Sequence, residues 1–194
     1  MLSSRGFREA YTLTGGILAA RGPKATGPPE LGLELFSGQE SVEETIVVGF
    51  ALEQGLQEFY LEMQARVTGQ KPADLFGVLA RVETLHQQRL VALYEEVTGN
   101  SLSLEEMAAK VVRPAMEGGL STEDYLKLHA PDLESVLDIL SLAMSIEAQA
   151  LDLYQRAADR ATDRRTAEAL TQMANEEREH LVHLGRYIDS PDQR

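Results

Sequence analysis

Six residues of this sequence have the types and the spacing of ligands to a pair of metal ions. Each half of the chain contains a Glu that is followed 30 positions later by a Glu-x-x-His pair, and the second copy lies 94 positions after the first. The six residues are Glu53, Glu83, His86, Glu147, Glu177 and His180. Mixed carboxylate and imidazole ligation suits iron or manganese better than zinc, which prefers four ligands with more nitrogen or sulfur. The repeat therefore predicts a carboxylate site for two iron ions, with manganese as the alternative.

Four long helical patterns must position these ligands. A capping box at residues 41–44 opens the first pattern, and Thr68-Gly69 stops it. The predicted helices cover residues 41–67, 72–97, 132–161 and 163–188. Residues 101–131 form a long connection, in which short helices are expected after Ser103 and after Ser121. A connection of this length permits a crossover along a helix bundle.

All six ligand residues fall on the apolar faces of the predicted helices. Positions spaced alternately by three and four residues mark the face that packs into a bundle, and the same count includes Tyr60, Tyr154 and Tyr187. Four carboxylates in one core require compensation by metal ions, by protonation or by mutual hydrogen bonds, and metal is the simplest. The sequence thus predicts an all-α four-helix bundle with a metal site at its centre.

Five further residues are candidates beside this set. Tyr60 and Tyr154 also repeat at 94 positions, and each lies seven residues after a ligand Glu, where a phenol could hydrogen-bond a ligand carboxylate. The alternative for both is an ordinary core aromatic. His183 is expected on the surface, as is His129 in the connection, and neither is assigned as a ligand. Glu176 could replace Glu177, but the repeat selects Glu177.

Composition excludes several classes of function. The chain has no Cys, so it can form neither a disulfide nor an iron–sulfur cluster from its own residues, and we expect no haem and no flavin. A formal net charge of −13 disfavours binding to nucleic acid or to an anionic membrane surface. The sequence contains no apolar run long enough for a membrane span and no secretory apolar segment at its start, so we expect a cytoplasmic protein.

The motifs Glu83-Thr-Leu-His86 and Glu177-Arg-Glu-His180, with Glu53 and Glu147, make residues 41–188 resemble the rubrerythrin branch of the ferritin-like superfamily. The resemblance implies a ferritin-like four-helix bundle, a non-haem di-iron centre and reduction of hydrogen peroxide, or of oxygen, to water. Rubrerythrins commonly carry an extra ligand Glu at the position of Ala150. Many also have a rubredoxin-like domain, which a chain without Cys cannot build, so the electron donor would be a separate protein.

Residues 1–40 form a Gly/Pro-rich arm, which we separate from a bundle domain at residues 41–190. Residues 5–20 resemble the last strand and helix of a rhodanese domain, without its catalytic Cys. The arm has apolar residues that cannot form a core alone, and we predict that they dock on the bundle or on a second subunit of a homodimer. They are Tyr11, Leu13, Ile17, Leu18, Leu31, Leu33, Leu35 and Phe36.

Three functions remain open from the sequence. The leading one is a di-iron oxidoreductase in which Glu53, Glu83, Glu147 and Glu177 hold and bridge the ions. His86 and His180 would complete the ligand set. The second is ferritin-like oxidation, storage or buffering of iron. The third is a metal-free interaction module in which the carboxylates share protons.

Overall fold

The computed structural model describes residues 32–111, 126–127 and 131–188 of the 194-residue chain. In these residues the regular structure is helical throughout, without a strand. A 3-10 turn at Leu33–Leu35 is followed by α1 (Val42–Arg66), α2 (Gln70–Thr98), α3 (Leu104–Ala108), α4 (Val136–Arg160) and α5 (Arg164–Ile188). The predicted all-α class is therefore confirmed. None of the described helices combines the length and the apolar character needed to cross a membrane.

Three helix boundaries follow the sequence signals. Ser41 Oγ accepts a hydrogen bond from the Glu44 N–H, and the Glu44 carboxylate accepts one from the Ser41 N–H, which completes the capping box of α1. Gly99 ends α2 with φ 74°, a left-handed conformation that glycine adopts without steric cost. Ser103 and Glu106 form a second capping box at the start of α3. The predicted short helix after Ser103 is thus confirmed.

The second predicted helix begins earlier than the sequence suggested. It starts at Gln70 rather than at Pro72. Proline is tolerated in the first helical turn because the N–H that it lacks has no acceptor within the helix.

The third predicted helix begins later, at Val136 rather than at Asp132. Ser135 is its N-cap, and its hydroxyl accepts a hydrogen bond from the Asp138 N–H at 3.3 Å. The repeat contained this information, since Ser135 lies 94 positions after Ser41.

The helices pack as two hairpins, α1 with α2 and α4 with α5. The Glu134 carboxylate, just before α4, accepts hydrogen bonds from the Thr68 and Gly69 N–H groups beyond the end of α1. At the opposite end, the Thr162 N–H beyond α4 donates to the Gly38 carbonyl before α1. Helices α1 and α4 are therefore antiparallel.

The long connection begins and ends at opposite ends of the bundle. Arg165 near the start of α5 donates a hydrogen bond to the Val97 carbonyl near the end of α2, so α2 ends at the end of the bundle opposite to the start of α4. A 25-residue helix spans about 37 Å at 1.5 Å per residue. Residues 99–135 must cover that distance, which confirms the crossover. The short helix predicted after Ser121 lies outside the described residues.

The hydrophobic core consists of two clusters. One includes Phe50 and Tyr154 with Leu90 of α2, and the other includes Phe59, Tyr60 and Phe76. The six predicted ligand residues belong to neither cluster; five of them are buried, and His180 is half-buried. The prediction that Tyr187 faces the bundle is wrong, since this residue is 44% exposed. The apolar face of α5 continues from Leu184 to Ile188, four residues on, and leaves Tyr187 outside it.

The last part of the arm docks on the bundle. Leu33 and Phe36 are buried in the same cluster as Tyr154, and Leu35 packs against that cluster. The Phe36 and Tyr154 rings meet edge to face, with centroids 6.3 Å apart. Gly38 passes so close to Arg160 that an added Cβ would lie 2.7 Å from the Arg160 carbonyl oxygen. Docking is thus confirmed for these three arm residues; Tyr11, Leu13, Ile17, Leu18 and Leu31 lie outside the described residues.

Candidate metal centre

The structure brings the six sequence-predicted ligand residues together inside the bundle. They form two groups, and within each group one ligand atom of every residue lies within 4.8 Å of the others. We call Glu53, Glu83 and His86 the first triad, and Glu147, Glu177 and His180 the second triad. Each triad takes its single Glu from one helix of a hairpin and its Glu-x-x-His pair from the other helix. Either triad could hold a metal ion.

The first triad is almost closed to solvent. Glu53, Glu83 and His86 are all buried, and Glu83 is 1% exposed. His86 Nδ1 lies 2.7 Å from Glu83 Oε2 and 3.3 Å from Glu53 Oε2. The i, i+3 spacing on α2 places Glu83 and His86 on one helix face, and α1 supplies the second carboxylate across the hairpin.

The second triad repeats this geometry with a more open imidazole. His180 Nδ1 lies 3.1 Å from Glu177 Oε2 and 3.4 Å from Glu147 Oε2. The His180 side chain is 16% exposed, whereas that of His86 is 7% exposed. Both triads therefore present the same imidazole atom to two carboxylates, and the second triad is nearer to solvent.

The two triads meet through their imidazole rings. The rings of His86 and His180 stack with centroids 3.7 Å apart and planes inclined by 8°. This stack joins α2 to α5 at the level of the carboxylates. The six residues therefore form one continuous site instead of two separate pockets.

Burial and mutual charge control the protonation of the metal-free site. Burial raises the pKa of Glu83 well above its usual range, and repulsion from Glu147 and Glu53 adds to that effect. Burial lowers the pKa of His86, but hydrogen bonds and attraction from Glu53 and Glu83 outweigh it and raise that pKa to about 11. Burial raises the pKa of Glu147, yet hydrogen bonds with Glu177 and His180 leave it below its ordinary value. Without a metal, burial thus favours the protonated form of Glu83, and the neighbouring carboxylates favour the positively charged form of His86.

One buried oxygen atom tests whether these residues fit a metal ion. Glu83 Oε1 is buried and has no hydrogen-bond partner among the described residues. Leaving a buried acceptor unpaired is costly, particularly on a carboxylate. A cation bound between Glu53, Glu83 and His86 would give this oxygen a partner, so the donor set and its unmet demand both fit a metal.

The structure describes four of the five remaining sequence candidates. Glu176 accepts a hydrogen bond from Arg89 at 3.1 Å and belongs to neither triad, which agrees with the choice of Glu177. His183 is exposed. Tyr60 and Tyr154 are completely buried, each in a different apolar cluster, and their predicted hydrogen bonds to ligand carboxylates stay a prediction. His129 lies outside the described residues.

Sequence reasoning missed a polar group beside the first triad. The Gln57 side-chain amide donates to Thr84 Oγ1 at 2.6 Å, and the Gln87 amide donates to Gln57 Oε1 at 3.2 Å. Gln54 lies one helical turn before Gln57 on the same side of α1. We call Gln54, Gln57, Thr84 and Gln87 the amide cluster. The repeat could not reveal it, because the positions 94 residues later are Ala148, Leu151, Arg178 and Leu181.

Fold and site together define an all-α bundle with two buried Glu–Glu–His groups that could bind metal ions, an arrangement compatible with a ferritin-like fold. Comparison of the chain with protein-family models, with curated proteins and with solved structures finds no match. Function must therefore be inferred from the site itself.

Proposed function

We propose that this protein is a rubrerythrin-like non-haem di-iron oxidoreductase that reduces hydrogen peroxide, or oxygen, with electrons from a separate donor protein. The observation that carries the proposal is the convergence of two repeat-related Glu–Glu–His triads through one imidazole stack in a buried site. Buried carboxylates are costly without compensation, and a pair of cations compensates both triads at once. The proposal includes peroxide or oxygen as the oxidant, a separate protein as the electron donor, and a homodimer as the oligomeric state.

The chain's own residues would have distinct tasks. Glu53, Glu83 and His86 would hold one ion, and Glu147, Glu177 and His180 the other. When bound, the iron pair would supply two electrons and the sites at which a small oxidant reacts. The apolar clusters on either side of the triads would exclude bulk water, and the closer packing around His86 would leave His180 as the more accessible ligand.

A second function, oxidation or storage of ferrous iron, is favoured by Ala150. This residue occupies the position where the rubrerythrins that the sequence resembles commonly carry an additional ligand Glu. It is 2% exposed and packs in an apolar cluster. Because this site lacks the additional carboxylate, oxidation of ferrous iron is a candidate function beside peroxide reduction.

Metal content and single-turnover kinetics test both functions. Protein purified without oxygen is expected to contain two iron or two manganese ions per chain by elemental analysis. Ferrous-loaded protein is then mixed with peroxide or with oxygen, and its oxidation is followed by absorbance. Fast oxidation by peroxide without mineral formation supports the oxidoreductase, whereas continued ferrous uptake with mineral formation supports storage. Absence of stoichiometric metal would overturn both and favour the metal-free interaction module.

A further inference from the structure

The amide cluster lies directly beside the first triad. Gln54 and Thr84 follow the ligands Glu53 and Glu83 in sequence, and Gln87 follows His86. Gln87 is 6% exposed, whereas Gln57 and Thr84 are half-buried, and hydrogen bonds connect the three side chains. The cluster therefore runs between α1 and α2 from the ligand level of the bundle toward its surface.

Two acceptor atoms in this region have unmet hydrogen-bonding capacity. Gln54 Oε1 is buried without a partner in the part of the chain that the structure describes, as is Glu83 Oε1. Gln54 uses its amide group to donate to Glu58 at 3.0 Å, which leaves its buried carbonyl oxygen free to accept from another donor. Buried polar groups that lack a protein partner are commonly satisfied by ordered water. One end of the amide cluster thus has the chemistry of a water site.

The other hairpin lacks amides at the matching positions. The repeat places Ala148, Leu151 and Leu181 where the first hairpin has three glutamines. The fourth position is Arg178, which is exposed and is paired with Asn175. At these matching positions three apolar side chains offer no hydrogen-bond partner to water, whereas the α1/α2 hairpin offers three amides and a hydroxyl there.

We propose that the amide cluster holds a chain of water molecules between α1 and α2 that carries protons from solvent to the Glu53 and Glu83 end of the site. This inference rests on the proposed function. Reduction of one peroxide breaks the O–O bond, consumes two electrons from two ferrous ions and two protons, and yields two water molecules. The amides would not release protons themselves; they would position the water that does.

The matching residues of the other hairpin suggest the variant. In Gln57→Leu/Gln87→Leu, both amides are replaced by the leucines found at positions 151 and 181. Ferrous-loaded protein is mixed with hydrogen peroxide in a single turnover, in H2O and in D2O. We expect the variant to retain two ions but to oxidise roughly 100-fold more slowly, the lower end of what positioned proton transfer contributes. Its solvent isotope effect should rise, which a purely structural role would not produce.

A matched control and a second readout keep the test decisive. Gln88→Leu changes an exposed glutamine next to the cluster and should leave the rate and the isotope effect unchanged. A high-resolution crystal structure of the metal-loaded wild-type protein should show ordered water on Gln54 Oε1. A dry cluster, or a double variant with two ions and the wild-type rate and isotope effect, would overturn the water path. Wild-type protein that binds two ions but does not react with peroxide would overturn the proposed reaction, and the crystallographic water would still decide the path.

Discussion

The two hairpins of this bundle carry the same ligands in different surroundings. In both, a Glu on one helix and a Glu-x-x-His pair on the other place two carboxylates within 3.4 Å of an imidazole Nδ1. Around the first triad the helices are joined by amides and a hydroxyl, whereas the repeat positions around the second triad are mainly apolar. The ligand geometry depends on three positions per hairpin, so it can be duplicated while the residues beside it differ.

The segments before α1 and α4 also carry a repeated residue in different surroundings. Glu40 and Glu134 are 94 positions apart, and each carboxylate accepts two backbone N–H hydrogen bonds. Glu134 reaches the α1–α2 loop at Thr68, while Glu40 binds its own segment at Ser37 and Gly38. These hydrogen bonds help to hold the pKa of both carboxyls below its usual range. A repeated residue therefore retained its chemistry but changed its partner, because the segments before α1 and α4 differ.

The largest effect, a loss of bound metal, is expected from removing the Glu of each triad that lies outside the Glu-x-x-His pair. Glu53→Ala/Glu147→Ala should lose both ions, because each triad would keep only two of its three ligands. Elemental analysis after anaerobic loading measures the result. The matched control is Glu58→Ala/Asp152→Ala, which removes more exposed carboxylates at another pair of positions 94 apart. Retention of two ions by the first variant would exclude the triads as the metal site.

Removing Phe36 should weaken one half of the bundle selectively. Phe36 is 1% exposed and packs on Tyr154, whereas Tyr60 at the equivalent position packs on Phe59 and Phe76 from the helices. Phe36→Ala should lower the free energy of unfolding by about 3–5 kcal/mol. Denaturant titration measures this change, and hydrogen exchange should increase around Tyr154 more than around Tyr60. Equal increases in both halves would contradict a local role for the docked segment.

The metal-free protein should become less stable as the pH rises above 6.5. The pKa of His86 is 6.5 in an ordinary environment and about 11 in the fold, so its protonated form stabilises the folded state fully below pH 6.5. That contribution is lost progressively as the pH rises through about 11, by at most about 1.4 kcal/mol per pH unit. The raised pKa of Glu83 acts in the same direction. Denaturation of chelator-treated protein at several pH values measures the slope.

His86→Gln should flatten this pH dependence, and His183→Gln, which changes an exposed imidazole, should not. Metal-loaded protein should behave oppositely toward acid, since ligands must lose protons to bind ions. A metal-free protein whose stability does not fall as the pH rises from 6.5 toward about 11 would show that His86 is neutral in the fold.

The smallest effect is expected at the loop carboxylates. Glu134→Gln should lower the melting temperature slightly at neutral pH, because a neutral amide is a weaker acceptor for the Thr68 and Gly69 N–H groups. The pKa of Glu134 is lowered in the fold, so its stabilising effect is present above 4.5 and is lost as the pH falls through the folded value. The melting temperatures of the variant and of the wild-type protein should therefore differ at neutral pH and converge at acidic pH. Glu40→Gln provides the comparison for a carboxylate that binds its own segment. If the melting temperatures of Glu134→Gln and the wild-type protein still differ in acid, the effect comes from packing instead of charge.

The sequence by itself determined the helical class, the crossover and the six residues that meet in the bundle. Periodicity and capping are local properties, and an internal repeat fixes equivalent positions without knowledge of the fold. The start of α4 is predicted at Asp132, whereas in the structure Ser135, which lies 94 positions after the α1 N-cap Ser41, is the N-cap.

Only the tertiary structure decided the features that depend on contacts between distant helices. The His86–His180 stack, the greater exposure of His180 and the unpaired oxygen of Glu83 arise where α2 meets α5 and α1. The amide cluster also depends on the tertiary structure, because Gln57 and Gln87 form no sequence motif and break the repeat. Burial and hydrogen-bond geometry are properties of several chain segments at once, so no local pattern could specify them.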